Sequence, residues 1–197
     1  MNTIKKLIEE GITFHKNNKL NDAKIKYLKV LKIDPKNFKI NRLLALIEYS
    51  LENYSNSLKL FSECIKTNPD NSESYSDRGA VYQKLKEIQK AKKDYLKAID
   101  IDNNANALFN YGNLLKENNN LNEAVHNYNL AIKAKPDFAN AYQNRGLVKF
   151  LQHKKEEALN DFNEVIKINS NHANARFLKS TIELQKENLI EGFKNYE

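Results

Sequence analysis

Tryptophan is absent from this 197-residue sequence, cysteine and methionine occur once each, and there are only three prolines and five glycines. Each shortage excludes something. A single cysteine, Cys64, permits no intramolecular disulfide and no multi-cysteine zinc site, and it suits a reducing compartment. So few prolines and glycines leave too little turn chemistry for a strand-rich protein and too little proline for a Pro-rich disordered one. No run approaches the roughly 18 apolar residues of a membrane span. The opening MNTIKKLIEEGITF lacks the long uncharged apolar core of a secretory signal. A soluble, cytoplasmic chain with no membrane partner is the expectation. What is present is 41% hydrophobic and 29% charged, rich in alanine, leucine, lysine and glutamate, and the expected class is all-α.

The net charge of +7 raises the question of nucleic acid, and its location answers in part. Residues 1–37 hold nine lysines against four acids, so most of the excess sits at one end. Lysine outnumbers arginine 28 to 4, whereas bidentate recognition of phosphate and base edges favours arginine. A solvated helix surface explains the lysines better than a nucleic-acid interface.

An internal repeat organises the chain. The segments NDAKIKYLKVLKIDP, SNSLKLFSECIKTNP, QKAKKDYLKAIDIDN, NEAVHNYNLAIKAKP and EEALNDFNEVIKINS align without gaps. A small residue leads each (Ala23, Ser57, Ala91, Ala124, Ala158), and four positions later comes an aromatic (Tyr27, Phe61, Tyr95, Tyr128, Phe162). Three further on stands Val30, Cys64, Ala98, Ala131 or Val165, and the copies are spaced by 34, 34, 33 and 34 residues. Upstream of each lies a second apolar-periodic stretch, centred on Gly11, Ala45, Gly79, Gly112, Gly146 and, in a sixth copy, Ser180. Residues four apart share a helix face. Small residues on that face let two helices approach, and the aromatic of the second helix fills the space between them. Each unit is therefore a helix–turn–helix hairpin whose apolar seam its neighbours must cover.

These residues resemble the tetratricopeptide repeat, which joins an aromatic, Leu-Gly and Tyr in its first helix to Ala, Phe and Ala in its second, then Pro. The resemblance divides the chain into repeats at 4–37, 38–71, 72–104, 105–138 and 139–172, with a partial sixth at 173–197. It implies a right-handed α-solenoid of stacked hairpins. Departures are the missing tryptophan, Glu48 and Lys149 at a normally apolar position late in the first helix, and Asn103 and Ser170 in place of proline. The sixth unit is expected to turn and to stop within its second helix, with Gly192 at the alanine position and Tyr196 at the aromatic one. Its ending, GFKNYE, resembles the last repeat of a bacterial group of these proteins, whose arrays often precede a glycosyltransferase-like domain. That likeness implies a repeat arm cut from a longer enzyme.

Within the chain nothing reads as catalytic. His15, His126, His153 and His172 are scattered over different repeats with no metal-ligand spacing, and no phosphate-cradling glycine loop occurs. Cys64 fills a small core slot, where a buried thiol is inert packing. Neither a metal nor a cofactor is expected.

Binding is the remaining role. The family resemblance implies that positions 2, 5, 6, 9, 12 and 13 of each first helix line a concave groove. In the last three repeats these positions collect Asn106, Asn110, Asn113, Asn140, Asn144 and Asn174, with Phe109, Phe150 and Phe177 beside them. An amide carries both a donor and an acceptor, so a row of amides can pair with an extended peptide backbone, as in the glycosyltransferase-linked arrays. With thirty asparagines in the chain, composition alone would also place some there. The family's carboxylate clamp needs lysine, asparagine, asparagine, lysine and arginine. This chain offers Phe109, Asn113, Asn144, Asn174 and Leu178, matching both asparagines and no cation.

One stretch, NYGNLLKENNNLNEAV, tests the reading closely. Asn118, Asn119 and Asn120 fall on a turn, and Asn122 lies where the next helix should be capped. Asn110 and Asn113 are the pair that helix formation does not require. The sequence thus predicts a protein-interaction scaffold that binds a protein or extended peptide. The alternatives are the recruiting arm of a glycosyltransferase-like enzyme and, more weakly, a basic nucleic-acid-binding solenoid. Oligomeric state is not written in the repeat pattern.

Overall fold

The computed structural model describes residues 2–194, with side chains from Thr3 to Gln185. Among them are eleven helices and no strand: α1 (Asn2–Lys16), α2 (Leu20–Ile33), α3 (Phe38–Ser50), α4 (Tyr54–Thr67), α5 (Ser72–Lys84), α6 (Ile88–Asp102), α7 (Ala105–Glu117), α8 (Leu121–Ala134), α9 (Ala139–Leu151), α10 (Lys155–Ile168) and α11 (Ala173–Lys194). The fold class is an α-solenoid of helix–turn–helix repeats. Contacts divide the chain into two compact units, Met1–Ala107 and Leu108–Glu197, with the cut inside α7.

The hairpin seam works as the small-and-aromatic spacing requires. Tyr27, Phe61, Tyr95, Tyr128 and Phe162 are all fully buried, each contributing about 1.5–3 kcal/mol by removal from water. The glycines opposite them exist for close approach. A Cβ on Gly11 would lie 2.5 Å from the Tyr27 ring, and one on Gly112 would lie 2.7 Å from the Tyr128 ring. In α3 the position is Ala45, whose carbonyl accepts from Ser57 Oγ at 2.9 Å.

The turn inside each hairpin uses a left-handed residue. Asn18, Glu52, Lys86, Asn119 and His153 all have φ between 56° and 62°. After α7, Asn119 N donates to Lys116 O at 3.0 Å and Asn120 N to Leu115 O at 2.8 Å. The other four turns close with the same two bonds, those of a Schellman cap. Non-glycine residues in this region cost about 1–2 kcal/mol, so packing of the paired helices holds the turns. The residue preceding α8 is Asn120, not Asn122, and it makes no side-chain cap bond. Closing α7 holds its backbone at φ −85° and ψ 65°, outside the extended region usual for a capping residue, while Asn122 lies in the first turn of α8 and accepts from Gln152 Nε2 at 2.9 Å. Asparagine caps appear instead at the first helices: Asn37, Asn71 and Asn104 accept from the amides of Ile40, Ser74 and Ala107.

The two polar departures late in the first helices are paired. Glu48, 3% exposed, meets Lys24 at 2.7 Å and Asn53 Nδ2 at 2.9 Å. Lys149 meets Asp161 at 3.1 Å. A second ion pair recurs between facing helices of one hairpin. Arg78 bonds Asp94 and reaches Ser62 of α4, and Arg145 bonds Asp161 and reaches Asn129 of α8. In the first hairpin the same two positions hold the pair with its signs reversed, Lys26 on Glu10.

The sixth unit differs from expectation. α11 runs unbroken for 22 residues, through the place where the turn should come. The physical reason is its seam. Where α9 offers Tyr142, Arg145, Gly146 and Lys149 to α10, α11 has Arg176, Lys179, Ser180 and Glu183. A charged seam cannot repay a left-handed turn by packing. The side chains of 186–194 and all of 195–197, including Tyr196 and most of GFKNYE, lie outside the described residues.

Candidate functional site

The candidate asparagines ride on α7, α9 and α11, on the sides that face away from the hairpin seams. On α7, Asn106, Asn110 and Asn113 recur at helical spacing, but Asn106 belongs to the first unit and is exposed, so the site is built in the second. There the five remaining amides do not behave alike. Asn113 Oδ1 accepts two bonds, from the Tyr128 hydroxyl at 2.8 Å and from Asn144 Nδ2 at 2.7 Å. Burial pushes the Tyr128 phenol well above its ordinary range, so it stays a donor. Asn113 and Asn144 therefore lock α7 to α9 and satisfy a buried hydroxyl. Asn110, Asn140 and Asn174 make no hydrogen bond among the described residues; the first is half-buried, the other two exposed.

The phenylalanines divide in the same way. The Phe109 ring packs at a tilt against Phe138, centroids 4.9 Å apart, and against Tyr128 at 6.0 Å. Phe150 packs against the cluster of Ala158, Phe162, Val165 and Ile182. Only Phe177 is open, at 67% exposure. The register explains why. Phe109 occupies the repeat position whose side chain reaches the following unit, as Arg42 does when it grips Glu73 and Asp77. Phe177 holds that position on α11.

Sequence reasoning placed Asn113 among ligand contacts and missed its bond to Tyr128. The signal was present: a tyrosine in a slot that Phe61 and Phe162 also fill needs a partner for its hydroxyl once buried. The equivalent side of the first unit is ionic rather than amide-lined. Arg42 bonds Asp77 at 2.9 Å, yet burial still pushes the Asp77 carboxyl up.

For chemistry the described residues offer little. No group of three or more His, Cys, Asp or Glu among them is placed to hold a metal ion. Burial pushes the Cys64 thiol up to about 11, far from a reactive thiolate. Among the described residues no helix is long and apolar enough to cross a membrane.

Models described as tetratricopeptide repeat match residues 60–93 and 139–172, and one described as TPR repeat matches 112–153. The chain is a tetratricopeptide-repeat protein. Human protein O-mannosyl-transferase TMTC3 is 29% identical over 150 residues, which are 68% of this chain and 16% of that protein. The chain thus spans about a sixth of that relative's length. Among solved structures, MamA superposes with a TM-score of 0.63 at 22% identity, covering 87% of this chain and 94% of that one. YrrB, described as a TPR protein with an unusual peptide-binding site, superposes with a TM-score of 0.59 at 22% identity, covering 88% and 90%. These structural likenesses concern the fold.

Proposed function

We propose that this tetratricopeptide-repeat chain is a protein-interaction scaffold whose second unit holds an extended segment of a partner along α7, α9 and α11. One observation carries the reading: Asn110, Asn140 and Asn174 present free amides on three consecutive first helices, beside an Asn113–Asn144 bond that keeps α7 and α9 in register. Free amides supply both halves of a peptide group's hydrogen bonding, at about 0.5–1.5 kcal/mol net per bond. The test pans a displayed library of random short peptides against the full chain and measures the enriched peptides by fluorescence anisotropy. Replacing Asn110, Asn140 and Asn174 together by alanine should leave helical circular dichroism intact and weaken binding at least about tenfold. Equal affinity for the triple variant, or no enriched peptide at all, refutes the reading.

A second reading is the recruiting arm of a longer glycosyltransferase-like protein, supported by the likeness of 68% of this chain to part of a protein O-mannosyl-transferase. A native reading frame that continues past Glu197 into a catalytic domain would support it, and a stop codon there would remove it. The nucleic-acid reading weakens because lysines of the basic end are engaged internally, Lys24 with Glu48 and Lys26 with Glu10. Salt-independent failure to bind random-sequence RNA would end it.

A further inference from the structure

α11 carries an open face with a definite pattern. Its buried side is Ala175 and Ile182, with Leu178 packed on the same cluster. The opposite side centres on exposed Ser180, whose hydroxyl is turned back onto the Phe177 carbonyl at 2.9 Å. One flank of that side carries Phe177 and Leu184, 67% and 58% exposed and two helical turns apart. The other flank carries Lys179 and Glu183, paired at 3.7 Å. In the preceding hairpin the equivalent face of α9, centred on Gly146, receives α10 running antiparallel; a Cβ on Gly146 would lie 2.9 Å from Phe162.

We propose that this face receives α11 of a second copy, antiparallel, about a two-fold axis passing near Ser180. A two-fold interface must be self-complementary: if one residue meets another, the second must meet the first. The α11 face satisfies that condition on both flanks. Turning the helix about Ser180 sets Phe177 against Leu184 of the mate, twice, along the apolar flank. The same rotation sets Lys179 against Glu183 of the mate, twice, along the charged flank. The two registers agree to within one residue, about 1.5 Å of helix. The small Ser180 at the centre permits close approach, as Gly146 does in α9. A head-to-tail mate finds no such fit, because the exposed positions of α1 include Lys5, Lys6, Glu9 and Thr13.

Sedimentation equilibrium of the full 197-residue chain tests this. The expected result is a dimer that Phe177→Glu combined with Leu184→Glu weakens at least about tenfold. Circular dichroism should be unchanged, since both side chains are exposed. Lys179→Glu and Glu183→Lys should each weaken self-association, and mixing the two variants should restore a heterodimer, seen by native mass spectrometry. Disruption of a contact within one helix alone cannot produce that rescue. A monomeric wild type, a dimer indifferent to the Phe177 and Leu184 changes, or no heterodimer on mixing overturns the proposal. The Asn110, Asn140 and Asn174 triple variant should still dimerise, so failure of peptide binding and failure of the dimer are read separately.

Discussion

Deleting one oxygen atom should stabilise this protein in the first hairpin and destabilise it in the fourth. Tyr27 and Tyr128 occupy the same repeat position, and both are fully buried. The Tyr128 hydroxyl donates to Asn113 Oδ1 at 2.8 Å. The Tyr27 hydroxyl has no hydrogen-bond partner among the described residues. At the positions corresponding to Asn113 and Asn144 stand Ile12 and Leu43, which pack against the cluster containing Tyr27. Tyr128→Phe loses a bond worth about 0.5–1.5 kcal/mol net, while Tyr27→Phe removes a desolvated, unpaired hydroxyl that costs about 1–3 kcal/mol. The two variants should therefore differ by roughly 2 kcal/mol or more. Each kcal/mol corresponds to about 2–4 °C of melting temperature in a chain of this size. Because repeat arrays open in pieces, thermal melts should be paired with hydrogen exchange, read at the amides of α2 and α8. Ile12→Asn supplies the missing acceptor and should make Tyr27 worth keeping. If Tyr27→Phe destabilises as much as Tyr128→Phe, the hydroxyl has a partner after all and the register argument fails.

Two further outcomes follow from the same packing. Asp161→Leu leaves Arg145 and Lys149 facing each other and should cost about 3–5 kcal/mol, the range for breaking a buried pair, with Arg145→Leu costing less. The double leucine variant should recover most of the loss in urea melts, because the second hairpin already holds Leu44 and Leu60 at these positions. Alkaline pH should also unfold the protein. Burial raises the phenols of Tyr27, Tyr49 and Tyr128. Their contribution is complete below the unfolded tyrosine pKa of about 10 and is lost as pH rises toward the folded values. A flat stability profile above that pH would contradict the assigned burial.

Two asparagine-rich features show how legibility divides. The spacing of Gly112, Ala124 and Tyr128 identified a hairpin because steric demand is local to a residue type: only a small residue tolerates an aromatic ring at van der Waals distance. The role of Asn113 was not legible in that way. Its carbonyl meets Tyr128 fifteen residues on and Asn144 on the next first helix, and an amide reads the same whether it faces a partner or a neighbour. The turns divide likewise. Asn119 is a natural left-handed residue, but Glu52, Lys86 and His153 adopt the same φ only because paired helices compel it.

By itself the sequence determined the helical class, the repeat period, and which positions must be small or aromatic, since all of these follow from side-chain volume at helical spacing. Tertiary structure alone decided which asparagines are spent and which are free, and that the Tyr27 hydroxyl is buried with no hydrogen-bond partner among the described residues. It also decided that α11 continues where a turn was expected. Each of these depends on what lies across an interface: a hydrogen bond needs its second atom, and a turn persists only when the helix beyond it has a seam to pack against.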